Sequence, residues 1–381
     1  MDTNKKTFDV VVVGGGIFGL WVAKRAFEAG LSVMLAEKDH IGAGASGGLL
    51  GALMPHIPTG WNEKKQFQFE ALAELSKIVE QLEAETGFDT GYGRIGRLMP
   101  LRSERFVTIA ETREQAAREV WHQEAGQFDF KVGCDEDYAA WLPSDGSPHG
   151  YVLDKLAARV NPRLYVSALA AWLRERATVS EGLRFDQFHD GTSTFNDGAK
   201  TVTAGAFVLA QGYQTFDFLR DAHDLDIGTG IKGQAARFRL ADTTGLPVIY
   251  DDGVYIVPHD DGTCSVGSTS EKVWDHPSEP DLSNTGFLDK AFALCPRLAD
   301  AELIDRWAGV RPKCHEREPI IGRLFEDAPV YIATGGFKVS FGIAHRVAEA
   351  LVEEMTRAGR TVALPETFTV GHHLGAASNE A

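Results

Sequence analysis

The sequence predicts an α/β fold in which parallel-sheet segments from both ends of the chain form one domain, interleaved with an antiparallel-sheet α+β domain. A run of β-branched residues, Phe8–Val13, leads directly into a glycine-rich turn and a helix. A second apolar run, Val330–Thr334, also meets two glycines and then a helix. Between them, roughly over 225–305, short stretches alternate apolar and polar residues, as the strands of a half-exposed antiparallel sheet do.

The composition is that of an ordinary globular protein with two or three structural units. The chain has 381 residues, of which 44% are hydrophobic and 24% charged. Its 38 Lys and Arg residues against 54 Asp and Glu residues give a net charge of −16. Proteins that bind nucleic acid through phosphate contacts carry a surplus of basic residues, so we expect no nucleic acid as the main partner.

The cysteines and the N-terminal region indicate the cellular compartment. Cys134, Cys264, Cys295 and Cys314 lie far apart and form no CxxC pair, so we expect neither a metal site nor a redox dithiol. Scattered free thiols are typical of a reducing compartment. The charge-free stretch Val10–Ala23 has 14 residues, fewer than the about 20 that a membrane span needs. We therefore expect a cytoplasmic protein with no membrane span and no secretory signal.

The first 40 residues predict a βαβ unit with a phosphate-binding turn. Leu20–Ala29 has helical composition, and Ser32–Ala36 is a second strand. The turn Gly14–Gly19 has the form GxGxxG, and Glu37 closes the second strand 18 residues further on. Glycines at this spacing allow a tight turn and the close approach of a pyrophosphate to a helix N-terminus, while the acid can accept hydrogen bonds from a ribose. The pattern favours a bound dinucleotide, NAD or FAD, over a glycine turn without a ligand.

The remaining elements follow from periodicity and composition. Apolar stripes predict helices over Phe67–Thr86, Glu104–Glu119, Asn161–Arg176 and Ile343–Met355. Alternating or β-branched runs predict strands over Ile95–Leu101, Gly233–Leu240, Gly253–Val257 and Thr263–Gly267, with two short strands over Lys200–Leu209. The segment after Gly371 is predicted to be a mobile tail.

Further motifs follow one another along the chain beyond the glycine turn. They are the loop Gly44–Gly47 with Gly51–Pro55, the strand Gly253–Pro258 with Val266–Thr269, the segment Trp307–Pro312 with Pro319–Gly322, and the strand and turn Tyr331–Gly336. In this order they resemble the D-amino-acid-oxidase (DAO) family of FAD-dependent oxidoreductases, and within it the glycine oxidases. The resemblance extends from residue 8 to about residue 355.

This resemblance implies a Rossmann-type FAD-binding domain formed by residues 1–95, 150–222 and 306–370. It implies a substrate-binding domain formed by 96–149 and 223–305, with 371–381 as the tail. FAD is the implied cofactor, and a helix N-terminus after Gly335 is expected to face the flavin. The implied cofactor-binding residues are Gly14, Gly16, Ile17, Phe18, Gly19, Glu37, Lys38, Ala45, Ser46, Gly47, Gly51, Ala52, Leu53, Gly212, Gly309, Arg311, Gly335, Gly336, Phe337 and Lys338.

Three residues are the implied substrate contacts. In glycine oxidases an arginine and a tyrosine hold the substrate carboxylate, and the resemblance places Arg311 and Tyr255 in these positions. A guanidinium can donate two parallel hydrogen bonds to a carboxylate, and a phenol can add a third. The alternatives are a structural salt bridge for Arg311 and a plain sheet residue for Tyr255. Lys338 stands where a glycine oxidase would show a second arginine, and a lysine binds as a point charge.

The implied activity is FAD-dependent oxidation of a small amine or amino acid, with glycine or an N-substituted glycine favoured. The product is an imine that hydrolyses to an oxoacid, and dioxygen reoxidises the flavin and gives hydrogen peroxide. Residues 46–55 also resemble the oxidase domain of the enzyme that matures 5-carboxymethylaminomethyluridine in tRNA, although the acidic charge argues against tRNA itself. The alternatives are a dehydrogenase that passes electrons to a quinone or carrier, and a non-catalytic dinucleotide-binding protein. The sequence is also compatible with a homo-oligomer.

Several other reactive side chains fit either a structural or a functional role. Cys314 is expected to be structural, because it does not match the flavin-linking cysteine of sarcosine oxidases. His40 and His56 flank the glycine-rich loop and are minor candidates for a covalent flavin link. Arg94 and Arg97 lie among glycines and fit either a substrate contact or a hairpin surface.

Overall fold

The computed structural model describes residues 7–121, 128–133, 138–189, 191–283, 285–359 and 361–380. Cys134 and the outermost terminal residues, on which expectations were stated above, lie outside these ranges. The strands in the described ranges are β1 Thr7–Val13, β2 Val33–Ala36, β3 Ala52–Leu53, β4 Arg97–Pro100, β5 Phe130–Val132, β6 Tyr151–Asp154, β7 Ala158–Arg159, β8 Thr178–Ser180, β9 Phe185–His189, β10 Thr192–Phe195, β11 Lys200–Leu209, β12 Gly228–Arg239, β13 Val248–Asp251, β14 Val254–His259, β15 Thr263–Gly267, β16 Glu302–Cys314, β17 Ile320–Arg323 and β18 Val330–Thr334. The helices are α1 Ile17–Glu28, α2 Glu63–Thr86, α3 Glu104–Val120, α4 Pro162–Arg176, α5 Gln214–His223, α6 Phe287–Leu294, α7 Ser340–Thr356 and α8 Val370–Glu380.

The two ends of the chain meet in one sheet, as the sequence predicts. Its order is β17-β18-β11-β1-β2-β8, and the neighbours from β18 to β8 run parallel. The hairpin β9–β10 and the edge strand β17 pair antiparallel. Residues Val10–Val13 of β1 are buried on both faces, which explains their unbroken apolar character.

Helices cover one face of this sheet, and their ends carry the expected caps. Helix α1 packs against α4 and α7, and Trp21 and Val347 are buried among them. Helix α2 begins after Asn62, whose side chain accepts a hydrogen bond from the Lys65 N–H, and ends at Gly87 in the left-handed region (φ 71°). These caps and the buried apolar stripes together explain why the predicted helices form.

The second sheet is mainly antiparallel, as predicted for the middle of the chain. Its order is β16-β12-β15-β14-β13-β4-β6-β5, with one parallel pair, β13 and β4. Strands β12 and β16 pair along their length, from Gly228 with Cys314 to Arg239 with Glu302. Its core includes Leu98, Trp141, Ile256 and Val266, and α6 packs against β14 and β15.

The structure corrects two expectations about local structure. Residues Lys200–Leu209 form one strand of ten residues, because β11 pairs with β1 on one side and with β10 and β18 on the other. The predicted mobile tail is instead helix α8. Val370 and His373 are buried there, and His373 Nε2 lies 3.1 Å from the Pro319 carbonyl oxygen. Packing, not intrinsic helix propensity, fixes this glycine-containing segment.

The strand pairings bear on the predicted division into domains. Strand β6 pairs with β4 and β5, and β16 pairs with β12, so both belong to the antiparallel sheet. The predicted ranges had given β6 and most of β16 to the cofactor domain. The division itself stays a prediction. Among the described residues, no helix is both long enough and apolar enough to cross a membrane.

Candidate active site

The glycine turn after β1 is as tight as the motif predicts. Gly14 has φ +113°, and a Cβ atom there would lie 2.4 Å from the Ala210 carbonyl oxygen. A Cβ atom on Gly19 would lie 1.9 Å from the Gly14 oxygen. Only glycine fits these positions, and their close packing brings the N-terminus of α1 to the edge of the sheet.

Two side chains fasten this turn to its neighbours. The Ile17 N–H at the start of α1 donates a hydrogen bond to Ser46 Oγ at 2.9 Å. The Glu37 carboxylate accepts hydrogen bonds from the N–H groups of Gly15 at 2.7 Å and Asp39 at 2.9 Å. A carboxylate has lone pairs for further donors, so Glu37 can still accept from ribose hydroxyls.

The glycine-rich loop over residues 42–51 connects the two sheets. Gly51 has φ +68°, and a Cβ atom there would lie 1.9 Å from the Val160 oxygen. The Leu49 carbonyl accepts a hydrogen bond from Arg237 Nη2 at 3.3 Å and lies 3.3 Å from His259 Nε2. Burial and the Arg237 charge lower the pKa of His259 to about 4, so this imidazole is neutral at physiological pH. The loop is thereby held against the antiparallel sheet.

A pair of glycines forms a hollow on the antiparallel sheet. Gly233 on β12 lies opposite Gly309 on β16. A Cβ atom on Gly309 would lie 2.3 Å from the Trp307 ring, and one on Gly233 would lie 2.5 Å from Arg311 Cζ. The missing side chains therefore make room for the Trp307 indole and the Arg311 guanidinium to lie flat on the sheet.

The Arg311 guanidinium is held in place but has no acidic partner. Nη1 donates to Ser268 Oγ at 3.0 Å, and Nη2 donates to the Thr269 carbonyl at 2.6 Å. Nε is buried without a hydrogen-bond partner. Burial lowers the pKa of Arg311 to about 10, which leaves it charged at neutral pH. In the described part of the chain, no carboxylate oxygen lies within the 4.0 Å of a salt bridge, which excludes the structural salt bridge considered above.

Two tyrosines lie near this cation. The rings of Tyr250 and Tyr255 have centroids 4.6 Å apart and are tilted by 40°. Burial, followed by the neighbouring Tyr250, raises the pKa of Tyr255 to about 12. The Tyr255 hydroxyl therefore stays protonated throughout the physiological range, and it forms a side-chain hydrogen bond with Tyr250.

The turn between β18 and α7 completes the site. Gly335 has φ +80°, and a Cβ atom there would lie 2.3 Å from Cys314 Sγ, so Cys314 is a packing residue beneath the turn. Phe337 has φ +43°, a strained conformation for a residue with a side chain. Burial, then the charges of Arg311 and Lys313, lower the pKa of Lys338 to about 8.

One continuous cavity of about 660 Å³ joins these parts. The predicted residues that line it are Gly14, Gly16, Ile17, Phe18, Glu37, Lys38, Ala45, Ser46, Gly51, Ala52, Gly212, Tyr255, Gly309, Arg311, Gly336, Phe337 and Lys338. The other four predicted residues, Gly19, Gly47, Leu53 and Gly335, do not line it. Gly19 and Gly335 support the cavity indirectly, because the lack of a side chain at each position lets the adjoining turn pack closely.

The cavity fits the dinucleotide that the resemblance implies. It begins at the glycine turn and the N-terminus of α1, where unpaired N–H groups and the helix dipole favour phosphates. It ends at the antiparallel sheet, beside the N-terminus of α7. Gly336 keeps the passage open, because a Cβ atom there would lie 2.6 Å from the Phe18 ring.

Sequence reasoning missed several residues of the site. Tyr250 and Trp307 also line the cavity. Arg97, one of two cations left between two interpretations, lines it as well and pairs with the buried Asp154 at 2.6 Å. The only sequence signal for Arg97 was its place in a predicted strand next to a glycine. No sequence signal indicated that Gly233 would lie opposite Gly309.

The remaining candidates are Arg94, His40 and His56. Arg94 donates hydrogen bonds to the carbonyls of Leu156 at 2.8 Å and Leu72 at 2.6 Å, which is a structural role. His40 does not line the cavity, whereas His56 does. Burial and the Lys64 charge lower the pKa of His56 to about 4.

Comparisons with known proteins agree with this geometry. The bifunctional protein ThiO/ThiG of Nostoc sp. is 30% identical over 329 residues, which cover 83% of this chain and 48% of that protein. This chain thus spans about half the length of the ThiO/ThiG proteins it matches. The glycine oxidase of Pseudomonas aeruginosa is 26% identical over 365 residues, covering 91% of this chain and 94% of that protein.

A solved structure and a family match complete the comparison. The structure of glycine oxidase from Geobacillus kaustophilus superposes with a TM-score of 0.83 at 20% identity, over 96% of this chain and 98% of that one, which confirms the predicted fold. Residues 9–350 match the family described as DAO, FAD dependent oxidoreductase. The chain therefore belongs to the DAO family of FAD-dependent oxidoreductases.

Proposed function

We propose that this protein oxidises the carbon–nitrogen bond of a small amino acid, glycine or an N-substituted glycine, and that dioxygen is the final electron acceptor. The observation that carries this proposal is the single cavity, which joins the dinucleotide turn to an unpaired guanidinium. The names of the relatives, glycine oxidase and ThiO, support the same substrate class.

Arg311 is the proposed anchor for the substrate carboxylate. A guanidinium has five N–H groups, and the contacts to Ser268, Thr269 and Ser270 use one N–H of Nη1 and both of Nη2, which leaves the Nε–H and the second Nη1 N–H unused. The unused N–H groups can therefore bind a carboxylate while the existing hydrogen bonds fix the plane of the group. Hydrogen bonds to charged groups contribute about 1.5–3 kcal/mol each.

Tyr255 and the cavity walls are proposed to complete the orientation of the substrate. The protonated Tyr255 hydroxyl donates a hydrogen bond to the anchored carboxylate, which fixes the rotation about the carboxylate axis. The apolar walls, Trp307 and Phe337 among them, exclude water from the amine and keep it in its neutral form. When bound, FAD supplies the hydride-accepting chemistry, so these residues contribute orientation and not acid or base catalysis.

The test is anaerobic reduction of the flavin in the purified holoenzyme. Glycine, sarcosine, proline, and D- and L-alanine are mixed in turn with the enzyme, and the loss of flavin absorbance is followed. Air is then admitted, and hydrogen peroxide is measured. We expect glycine or sarcosine to bleach the flavin and peroxide to appear in equal amount.

Two results would contradict the proposal in different ways. If none of these amines bleaches the flavin, the substrate class is wrong. If bleaching occurs but reoxidation in air is slow and a quinone or dye restores the colour, the protein is a dehydrogenase. Arg311→Met, which keeps the flavin site, is the control that links bleaching to the carboxylate anchor.

A further inference from the structure

Positive charge accumulates at the acid-binding end of the cavity. Three cations surround the ring of Phe337: Arg311 Cζ lies 5.1 Å, Lys338 Nζ 5.7 Å and Lys313 Nζ 5.8 Å from its centroid. Arg311 and Lys338 line the cavity, whereas Lys313 does not. None of the three forms a salt bridge in the described part of the chain. We call this group the Phe337 cation cluster.

This arrangement differs from that of Arg97, a buried cation that also lines the cavity. Arg97 is paired with Asp154, so its charge is compensated by direct contact within the protein. Glu271 acts on Arg311 only at longer range, and it accepts a hydrogen bond from Gln234 Nε2 at 2.8 Å. Among the described residues, no carboxylate therefore forms a salt bridge with the Phe337 cation cluster, although the net charge of the chain is −16.

Like charges at this separation repel one another. Burial, and after it the charges of Arg311 and Lys313, lower the pKa of Lys338. The N-terminus of α7, which opens on the same turn, adds a further positive potential. An anionic ligand would remove this repulsion, and one carboxylate bound to Arg311 compensates only one of the two charges that line the cavity.

We propose that the preferred substrate is an amino diacid, a primary or secondary amine with two carboxylates. One carboxylate binds Arg311 and Tyr255, and the second binds the Lys338 ammonium. Both cations lie within 6 Å of the same ring centroid, so one small molecule can reach both. This inference rests on the proposed function, because it specifies the substrate class of the same site.

The first test compares substrates that differ only in the second acid group. Sarcosine and iminodiacetate are the N-methyl and N-carboxymethyl forms of glycine, and alanine and aspartate form a second pair. The rate of anaerobic flavin reduction gives kcat/KM for each with the wild-type holoenzyme. Because a hydrogen bond to a charged group is worth a factor of about ten or more, we expect at least one diacid to exceed its partner about tenfold.

The second test uses variants of the second anchor. We expect Lys338→Met to lower the ratio of kcat/KM for the diacid to kcat/KM for the monoacid about tenfold. Lys338→Arg should restore the preference. Lys290→Met removes an exposed lysine that pairs with Asp252 on the surface, and it serves as the matched control for loss of one charge.

A binding measurement on the wild type does not depend on any variant. Malonate and succinate, against acetate and propionate, are titrated while the flavin spectrum is followed. Tighter binding of the dicarboxylates supports the proposal, whereas equal binding contradicts it.

The outcomes separate this inference from the proposed function. If sarcosine bleaches the flavin and kcat/KM for each diacid is equal to or lower than that for its monoacid partner, the proposed function stands and the second anchor is wrong. If Lys338→Met lowers kcat/KM equally for the diacid and the monoacid and shifts the flavin midpoint potential, Lys338 stabilises the reduced flavin and the proposal fails. If no amine bleaches the flavin, the proposed function fails, and the dicarboxylate titration alone decides whether two acids bind.

Discussion

The two ends of the cavity are built from different parts of the protein. The dinucleotide end consists mainly of backbone, namely the turn Gly14–Gly19, the N-terminus of α1 and the loop over 42–51. The proposed acid-binding end consists of side chains, with Arg311, Tyr255 and Lys338 coming from β16, β14 and the turn before α7. Backbone groups can hold a long phosphate-bearing ligand by shape, whereas a small acid has to be selected by a few charges. The two ends should therefore respond differently to substitution.

The largest effect is expected from Gly14→Ala at the dinucleotide end. The new Cβ atom would lie 2.4 Å from the Ala210 oxygen at φ +113°, and no side-chain movement relieves a clash with backbone. We expect loss of bound flavin and much reduced soluble protein. The ratio of flavin to protein absorbance and the thermal unfolding temperature measure both effects.

The control for this change is Gly371→Ala, where a Cβ atom meets nothing within 4 Å. It should retain the flavin and the unfolding temperature of the wild type. If Gly14→Ala binds flavin normally, the turn does not hold the cofactor in the way described, and the contrast between the two ends fails.

A smaller but still large effect is expected from Arg311→Met at the acid-binding end. The variant loses two charge-assisted hydrogen bonds to the substrate, so kcat/KM for amino acids should fall about a hundredfold or more, mainly through KM. The flavin should stay bound, because no residue of the glycine turn changes. Normal turnover of carboxylate-bearing amines by this variant would show that the anchor lies elsewhere.

The same contrast decides how much of the molecule could be predicted from its sequence. The βαβ unit and its turn were predictable, because a strand, three spaced glycines and Glu37 are local in sequence and each has a steric or hydrogen-bonding reason. Arg311 and Tyr255 were found only through a resemblance to a family. Their proximity depends on the register of β12, β14, β15 and β16, which no local pattern specifies.

Two cases illustrate the limit in physical terms. The burial of Arg97 depends on Asp154, which is 57 positions away and pairs with it only in the folded sheet. The tail helix α8 forms because His373 and Val370 pack against the rest of the chain, and its composition gives no helical signal. Tertiary contacts that override local preference are therefore where prediction failed.

A third prediction concerns pH at the acid-binding end. Lys338 has a pKa of about 8 and is charged below it, so the second anchor is present at pH 7 and is lost as the pH rises through 8. The neighbouring charges are Arg311 and Lys313. Arg311, with a pKa of about 10, keeps its charge over most of this range. The ratio of kcat/KM for the diacid to that for the monoacid should fall up to about tenfold between pH 7 and 9.

Between pH 7 and 9 both amines of a pair are mainly protonated, so their neutral fractions rise in parallel and largely cancel in the ratio. Lys338→Met supplies the reference, because its ratio should be low and independent of pH. If the wild-type ratio of kcat/KM for the diacid to that for the monoacid stays constant from pH 7 to 9, Lys338 does not select the diacid.

The smallest effect is expected from Gly233→Ala, which acts on the anchor through its support. The added Cβ atom would lie 2.5 Å from Arg311 Cζ, and the guanidinium can move away because it is the end of a flexible side chain. We expect the flavin content to stay unchanged and kcat/KM to fall about fivefold, as a weakened charge-assisted hydrogen bond would give.

Combining this change with Arg311→Met separates a specific effect from general damage to the sheet. If Gly233 acts only by positioning the guanidinium, the double variant has the activity of Arg311→Met alone, whereas additive losses would mean that the glycine supports the site in another way.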